Sequence, residues 1–196
     1  MTIYRAPVED FRFLIHEFLE VEKHRDLPQY EELSPDLIDD ILTNAGKFCE
    51  EVLHPLNQSG DEEGCHFENG VVRTPKGFKE AYKAYSEAGW GGLGAPAEYG
   101  GAGMPTLLTM ILGEMGMAAN QSLAMYPMLT AGAYGALIAT GPDWMKNNID
   151  IGAASSFPDH HAPLRAQARH RKAARRTADQ GVFLRLSQPG WAKHCG

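Results

Sequence analysis

Ala88–Pro105 reads AGWGGLGAPAEYGGAGMP, and its seven glycines and two prolines in 18 residues separate two helix-patterned apolar stretches. Glycine admits backbone angles that other residues avoid, and proline fixes φ and removes a donor. The stretch is a shaped loop. Gly89, Gly91 and Gly94 spell G-x-G-x-x-G, and Glu114 lies 20 residues past Gly94, the spacing of a dinucleotide-binding fingerprint. That fingerprint needs a strand before the first glycine and a helix opening among the glycines. What precedes it is Phe78, Ala81, Tyr82 and Tyr85 at helical spacing, with Thr74 as the N-cap and Pro75 in the first helical position. Gly89 then takes the C′ position of that helix. Pro96 and Gly100–Gly101 forbid a helix opening at Gly94. The stretch reads as a helix-to-helix loop, not as a phosphate cradle.

On the upstream side, Ser34, Pro35 and Asp36 form a helix start: N-cap, first position, and an acid in the positive first turn. Leu37, Ile41, Ala45, Phe48, Val52 and Leu56 make one apolar stripe, with Ile38, Leu42, Cys49 and Leu53 beside it. Pro55 should end or kink this helix. Asp39–Asp40 and Glu50–Glu51 resemble carboxylate pairs for acid–base work. Neighbours diverge on a helix, so the expectation is a solvated outer face. A first helix is expected over Val8–Lys23, with Phe11, Leu14, Ile15, Phe18 and Leu19 inward and His16 on the surface. Asn69–Gly70 signals a type I′ turn and a short hairpin within 67–73. Cys65–His66 has no further Cys or His close in sequence, so no metal site is expected.

On the downstream side, Glu114 is the only charged residue from Thr106 to Gly141. Two helices are expected, Leu107–Ala119 and Ala124–Thr140, with Gly141 as the stop. Helices apolar on every side are either central in a bundle or cross a membrane. Gly113–Glu114, Asn120–Ser122 and Tyr126–Pro127 interrupt the roughly 20 clean apolar residues a span requires, so no span is expected. A central hairpin is the alternative, with Ala131, Gly132, Ala133, Gly135 and Ala136 giving it a small-residue surface. The methionines Met104, Met110, Met115, Met117, Met125 and Met128 read as core filler or as an adaptable apolar pocket. Pro142–Lys146 starts one more helix.

Composition sets wider limits. The chain of 196 residues is 43% hydrophobic with a formal charge of −7, which argues against nucleic-acid binding. Cys49, Cys65 and Cys195 are odd in number and scattered, which fits a reducing compartment, and MTIYRAPVEDF lacks a secretory pattern, so the expected location is cytoplasmic. The charge is divided abruptly. Lys and Arg number 9 against 22 acids through Met145, and 9 against 3 from Lys146 onward, a change from −13 to +6. A natural basic arm, a linker and out-of-frame translation each account for such a tail.

Several ordered blocks resemble one family. Pro96-Ala97-Glu98-Tyr99-Gly100-Gly101-Ala102-Gly103 resembles the Pro-x-Glu-Tyr-Gly-Gly-x-Gly loop of flavin-dependent acyl-CoA dehydrogenases. Trp90–Leu93 and the apolar helix through Glu114–Met115 fit the same N-terminal helical domain. Tyr4–Val8, Glu51–Asn57 and Gly70–Phe78 are similar to a branch of that family with an N-terminal extension.

The resemblance implies an all-α fold with 1–33 an extension helix and 34–146 the N-terminal helical domain; 147–196, beyond the match, is the basic tail marked by the charge reversal. It implies oxidation of an acyl-CoA thioester to a trans-2-enoyl-CoA with FAD, an electron-transfer acceptor and a homo-oligomer in the complete enzyme. The family's catalytic glutamate belongs to a domain this sequence does not contain. No catalytic residue is therefore assigned, no FAD is expected on this chain alone, and Glu114 is read as a buried, paired or helix-end carboxylate. Met125, Tyr126, Met128, Leu129 and Thr130 are the implied acyl-pocket candidates. The match stops near Lys146, where the charge reverses, which makes truncation or a frameshift the preferred account of the tail. A non-catalytic scaffold and a membrane-associated hairpin are the alternatives in other classes.

Overall fold

A computed structural model describes residues 3–31 and 33–146. The tail of 147–196, and what was read into it, lies outside the described residues. Helix α1 (Val8–Arg12) widens into a π-helical segment, Phe13–Phe18, and a 3-10 turn follows at Val21–His24. Helix α2 is Pro35–Phe48; a π turn at Cys49–Leu53 joins it to α3, Pro55–Glu63. Strands β1 (His66–Glu68) and β2 (Val71–Arg73) pair antiparallel, with Phe67 opposite Val72. Helix α4 is Phe78–Glu87, α5 is Thr106–Thr140 and α6 is Asp143–Lys146. The all-α reading holds, with one small hairpin.

Several elements begin as the sequence dictates. The Ser34 hydroxyl accepts the Leu37 N–H at 3.2 Å, with Pro35 at the first position of α2. Asn69 and Gly70 both have positive φ, 53° and 80°, as a type I′ turn requires. Gly89 closes α4 at φ 78°, its N–H bonded to the Ser86 carbonyl.

Other expectations are corrected. The first helix stops at Phe18, because Glu20 adopts a left-handed conformation (φ 47°) that turns Val21 back into the core. Only Phe11 and Ile15 of its expected face are buried, while Leu14, Phe18 and Leu19 are exposed. The centre of the α2 face is Ile38, Leu42, Ala45, Cys49 and Leu53, not the stripe through Leu37, which is 37% exposed. Helix α4 starts at Phe78 rather than Pro75. Gly77 has φ 87°, and Lys76 N–H is held by Glu63 at 3.0 Å, so Thr74–Lys76 form a separate turn. Pro55 is accommodated by the π turn, where His54 N–H reaches back to Cys49 C=O at 2.9 Å.

The acidic pairs divide instead of forming one outer face. Asp39 takes the Arg12 Nε at 2.8 Å and lies 3.4 Å from His16 Nε2, while Glu50 takes Ala6 N–H at 2.8 Å; Asp40 and Glu51 face solvent. His16 is not a free surface histidine, since its Nδ1 pairs with Glu22. The core runs through Phe11, Ile15, Ile38, Leu42, Leu53, Phe78, Leu108, Met115 and Leu123, so the extension and the helices of 35–123 share one cluster.

Candidate functional site

The glycine loop is a self-closed knot. Its second half returns onto its first: Ala102 N–H bonds to Gly92 C=O at 2.9 Å, Gly103 N–H to Ala95 C=O at 2.8 Å, and Met104 N–H to Leu93 C=O at 2.9 Å. Gly101 is required by that closure, because a Cβ there would overlap the Ala95 carbonyl. With a helix before it and most of its amides turned onto its own carbonyls, the loop does not open as the N–H cradle of a pyrophosphate site. Leu93 and Ala95 are buried, so the loop seals one end of the bundle and starts α5.

Helix α5 is kinked at Asn120 (φ −160°, ψ 91°), a residue only 1% exposed. Its side chain explains the kink. Asn120 Oδ1 accepts the Leu123 N–H at 3.1 Å, which caps the helical turns that follow, and Asn120 Nδ2 donates to the Leu53 carbonyl of the π turn at 3.1 Å. One amide thus fixes the direction of residues 121–140 against the α2–α3 junction. The sequence showed Asn120–Ser122 as an interruption but not this double bond.

Beyond the kink, Leu123 is the last fully buried residue among those described. Tyr126 packs edge-on against Phe78 (6.2 Å between centroids) and near Tyr82 (6.3 Å). Burial raises the Tyr82 pKa, while a hydrogen bond to Thr130 acts in the opposite direction. Tyr126 and Thr130, one turn apart, therefore face α4. Met125, Met128 and Leu129 lie on the outer face, and Leu129 is 81% exposed. The five acyl-pocket candidates are split between two faces of one helix rather than gathered into one cavity. The expectation of a centrally buried second helix is corrected: residues 124–140 are half-buried or exposed throughout.

Glu114 is also corrected, being exposed at mid-helix. Of the methionines, Met115 is buried in the core, and Met110, Met125 and Met128 are exposed. Helix α5 is long and apolar enough to cross a membrane by length and composition. Its first half, however, carries Leu108, Ile111, Leu112, Met115 and Ala119 inside the bundle. Among the described residues no group of His, Cys, Asp and Glu is arranged to hold a metal. A flavin nucleotide needs donors for its pyrophosphate and apolar walls on both sides of its ring. The described residues offer one exposed apolar wall and a loop most of whose donors are bonded within it, so on their own they do not fit that group.

The family described as acyl-CoA dehydrogenase, N-terminal domain, matches residues 37–149. The chain is 38% identical over 143 residues to 3-methylmercaptopropionyl-CoA dehydrogenase of Ruegeria pomeroyi, which covers 73% of this chain and 24% of that protein. It is 34% identical over 134 residues to butyryl-CoA dehydrogenase of Syntrophomonas wolfei, covering 66% of this chain and 22% of that protein. A broad-specificity linear acyl-CoA dehydrogenase of Mycobacterium tuberculosis is 29% identical over 128 residues. The chain spans about a quarter of the length of the curated relatives it matches.

Proposed function

The chain belongs to the acyl-CoA dehydrogenase family through its N-terminal domain, and we propose that it supplies one wall of the acyl pocket of such an enzyme. The complete enzyme, in this reading, converts an acyl-CoA thioester to a trans-2-enoyl-CoA. FAD would supply the hydride acceptor there, and a carboxylate outside this chain the base. The part left to this chain is exclusion of water. An enolate developing beside the thioester is stabilised by a dry, fixed environment and is quenched by solvent. Met125, Met128 and Leu129 present apolar surface for the acyl chain, and Tyr126 and Thr130 hold that surface against α4.

The observation that carries this reading is the uncharged, largely uncovered stretch that follows Leu123. Large apolar side chains left in water forfeit about 1.5–3 kcal/mol each, so a face of this kind marks a binding surface. The test is dye binding and absorbance on the purified chain. The expected result is strong binding of an apolar fluorophore, lost in Met128→Asp/Leu129→Asp, with no stoichiometric absorbance near 450 nm. Copurified yellow flavin at one equivalent, or dye binding untouched by the double variant, refutes it. Partition of the chain into vesicles with residues 106–140 protected would instead favour the membrane-associated reading. The charge reversal at Lys146 supports reading 147–196 as out-of-frame. The coding DNA tests this: another frame past codon 146 should encode a Thr-Glu-Pro and Gly-Ser-Asp-like continuation.

A further inference from the structure

The N-terminal segment of residues 3–7 lies along a single row of the α2–α3 rod. Gly46, Glu50 and His54 stand four residues apart on that row. Gly46 supplies clearance, since a Cβ there would stand 2.9 Å from Val8 Cγ2 and 3.1 Å from the Ala6 Cβ. Glu50 Oε1 accepts the Ala6 N–H at 2.8 Å, and its other oxygen takes Arg5 Nη1 at 3.1 Å. His54 Nε2 accepts the Tyr4 N–H at 3.2 Å. Alternate peptide N–H groups of the segment are thus caught by side-chain acceptors one helical turn apart. At the far side, the Tyr4 hydroxyl donates to the Met115 carbonyl of α5 at 3.2 Å, so the segment straps α5 to α2.

The two acceptors differ in what protons do to them. A carboxylate keeps accepting down to acidic pH. An imidazole nitrogen accepts only while it is unprotonated, and a free histidine titrates near pH 6.5. We propose that residues 3–7 form a strap released in mild acid, with His54 as the trigger: a proton on Nε2 converts the acceptor of the Tyr4 N–H into a donor. The docked strap requires His54 neutral with its proton on Nδ1, whereas the released strap tolerates the imidazolium. The released form therefore binds one proton more, and lowering the pH favours it. The ionisable groups around this junction include Tyr4, Arg5 and Glu50, the buried thiol of Cys49, and Glu114 of α5, whose charge reaches Tyr4. The strap stands independently of the acyl-wall reading.

Hydrogen exchange on the full chain tests it, scored as the protection of the Tyr4 amide relative to its intrinsic rate. Protection should fall about tenfold from pH 7.5 to pH 5.5, because a proton on Nε2 removes the acceptor that docking requires. His54→Gln keeps an acceptor that does not titrate, so its protection should be flat across the same range. Glu50→Gln should retain the pH dependence. Nitrogen-15 spectra of the wild-type imidazole provide a readout that needs no variant, and Nε2 should be the unprotonated nitrogen at pH 7.5. Protection that does not change with pH, an equally steep fall in His54→Gln, loss of the pH dependence in Glu50→Gln, or a proton on Nε2 at pH 7.5 would each overturn the proposal.

Discussion

Asn120→Ala isolates the residue that aims the second half of α5. In the native chain the amide makes two buried hydrogen bonds, one to Leu123 N–H and one to Leu53 C=O, both at 3.1 Å. Alanine removes the helix cap, which costs about 1 kcal/mol. It also leaves the carbonyl of Leu53, a residue 3% exposed, without the Asn120 donor, which costs about 1–3 kcal/mol. The sum is roughly 2–4 kcal/mol, a large part of a typical margin of about 5–15 kcal/mol. Urea unfolding followed by far-ultraviolet circular dichroism reads this directly. With a slope near 2 kcal/mol per molar, the midpoint should fall by about 1–2 M. Asn120→Asp separates the two bonds. An ionised aspartate still caps Leu123 but cannot donate to Leu53 C=O; once protonated it can. Burial beside that carbonyl raises its pKa, so the aspartate variant should be stabilised, relative to alanine, as the pH falls. A midpoint change under about 0.3 M for the alanine variant would refute the reasoning, as would an aspartate variant whose difference from alanine ignores pH.

Three further outcomes are expected. Gly101→Ala drives a Cβ into the Ala95 carbonyl and should destabilise by about 1–3 kcal/mol or more, measurable as a lowered melting temperature; an unchanged value would mean that the loop is not closed as described. Thiol labelling with peptide mapping should modify exposed Cys65 and spare Cys49, whose pKa burial pushes up to about 12, until the chain unfolds; rapid modification of Cys49 contradicts its buried position. Gly46→Ala gains up to about 1 kcal/mol in helix propensity, yet its Cβ meets Val8 Cγ2 at 2.9 Å. It should therefore not stabilise the fold and should lower the exchange protection of the Tyr4 amide, so a more stable protein with an intact strap counts against the close packing.

Much of the architecture was legible because it rests on local chemistry. Ser34–Pro35, Asn69–Gly70 and Gly89 each satisfy a backbone demand within four residues of themselves, and each does in the structure what its type requires. The loop motif Pro96–Gly103 was legible for the same reason, since it is built from its own hydrogen bonds. The orientation of the helices was not. Leu37 and Ile38 are equally apolar neighbours, and only the approach of α5 and of the extension makes Ile38 core and leaves Leu37 exposed. The sequence places His16 on the surface and gives His54 no role, because their partners are Glu22, Asp39 and the Tyr4 N–H, brought together by turns at Glu20 and Pro7.

The candidate site divides along the same line. Sequence alone marked 124–140 as apolar and uncharged, and the resemblance pointed to Met125–Thr130. Tertiary structure decided which of those residues are anchors and which are offered outward. Tyr126 and Thr130 meet α4 because Asn120 turns the helix there, and Met125, Met128 and Leu129 fall on the opposite face by helical geometry. A hydrophobic pattern fixes that a helix has a face to bury. What covers that face, and which residues remain in water, depends on contacts far away in the chain, and no local pattern encodes them.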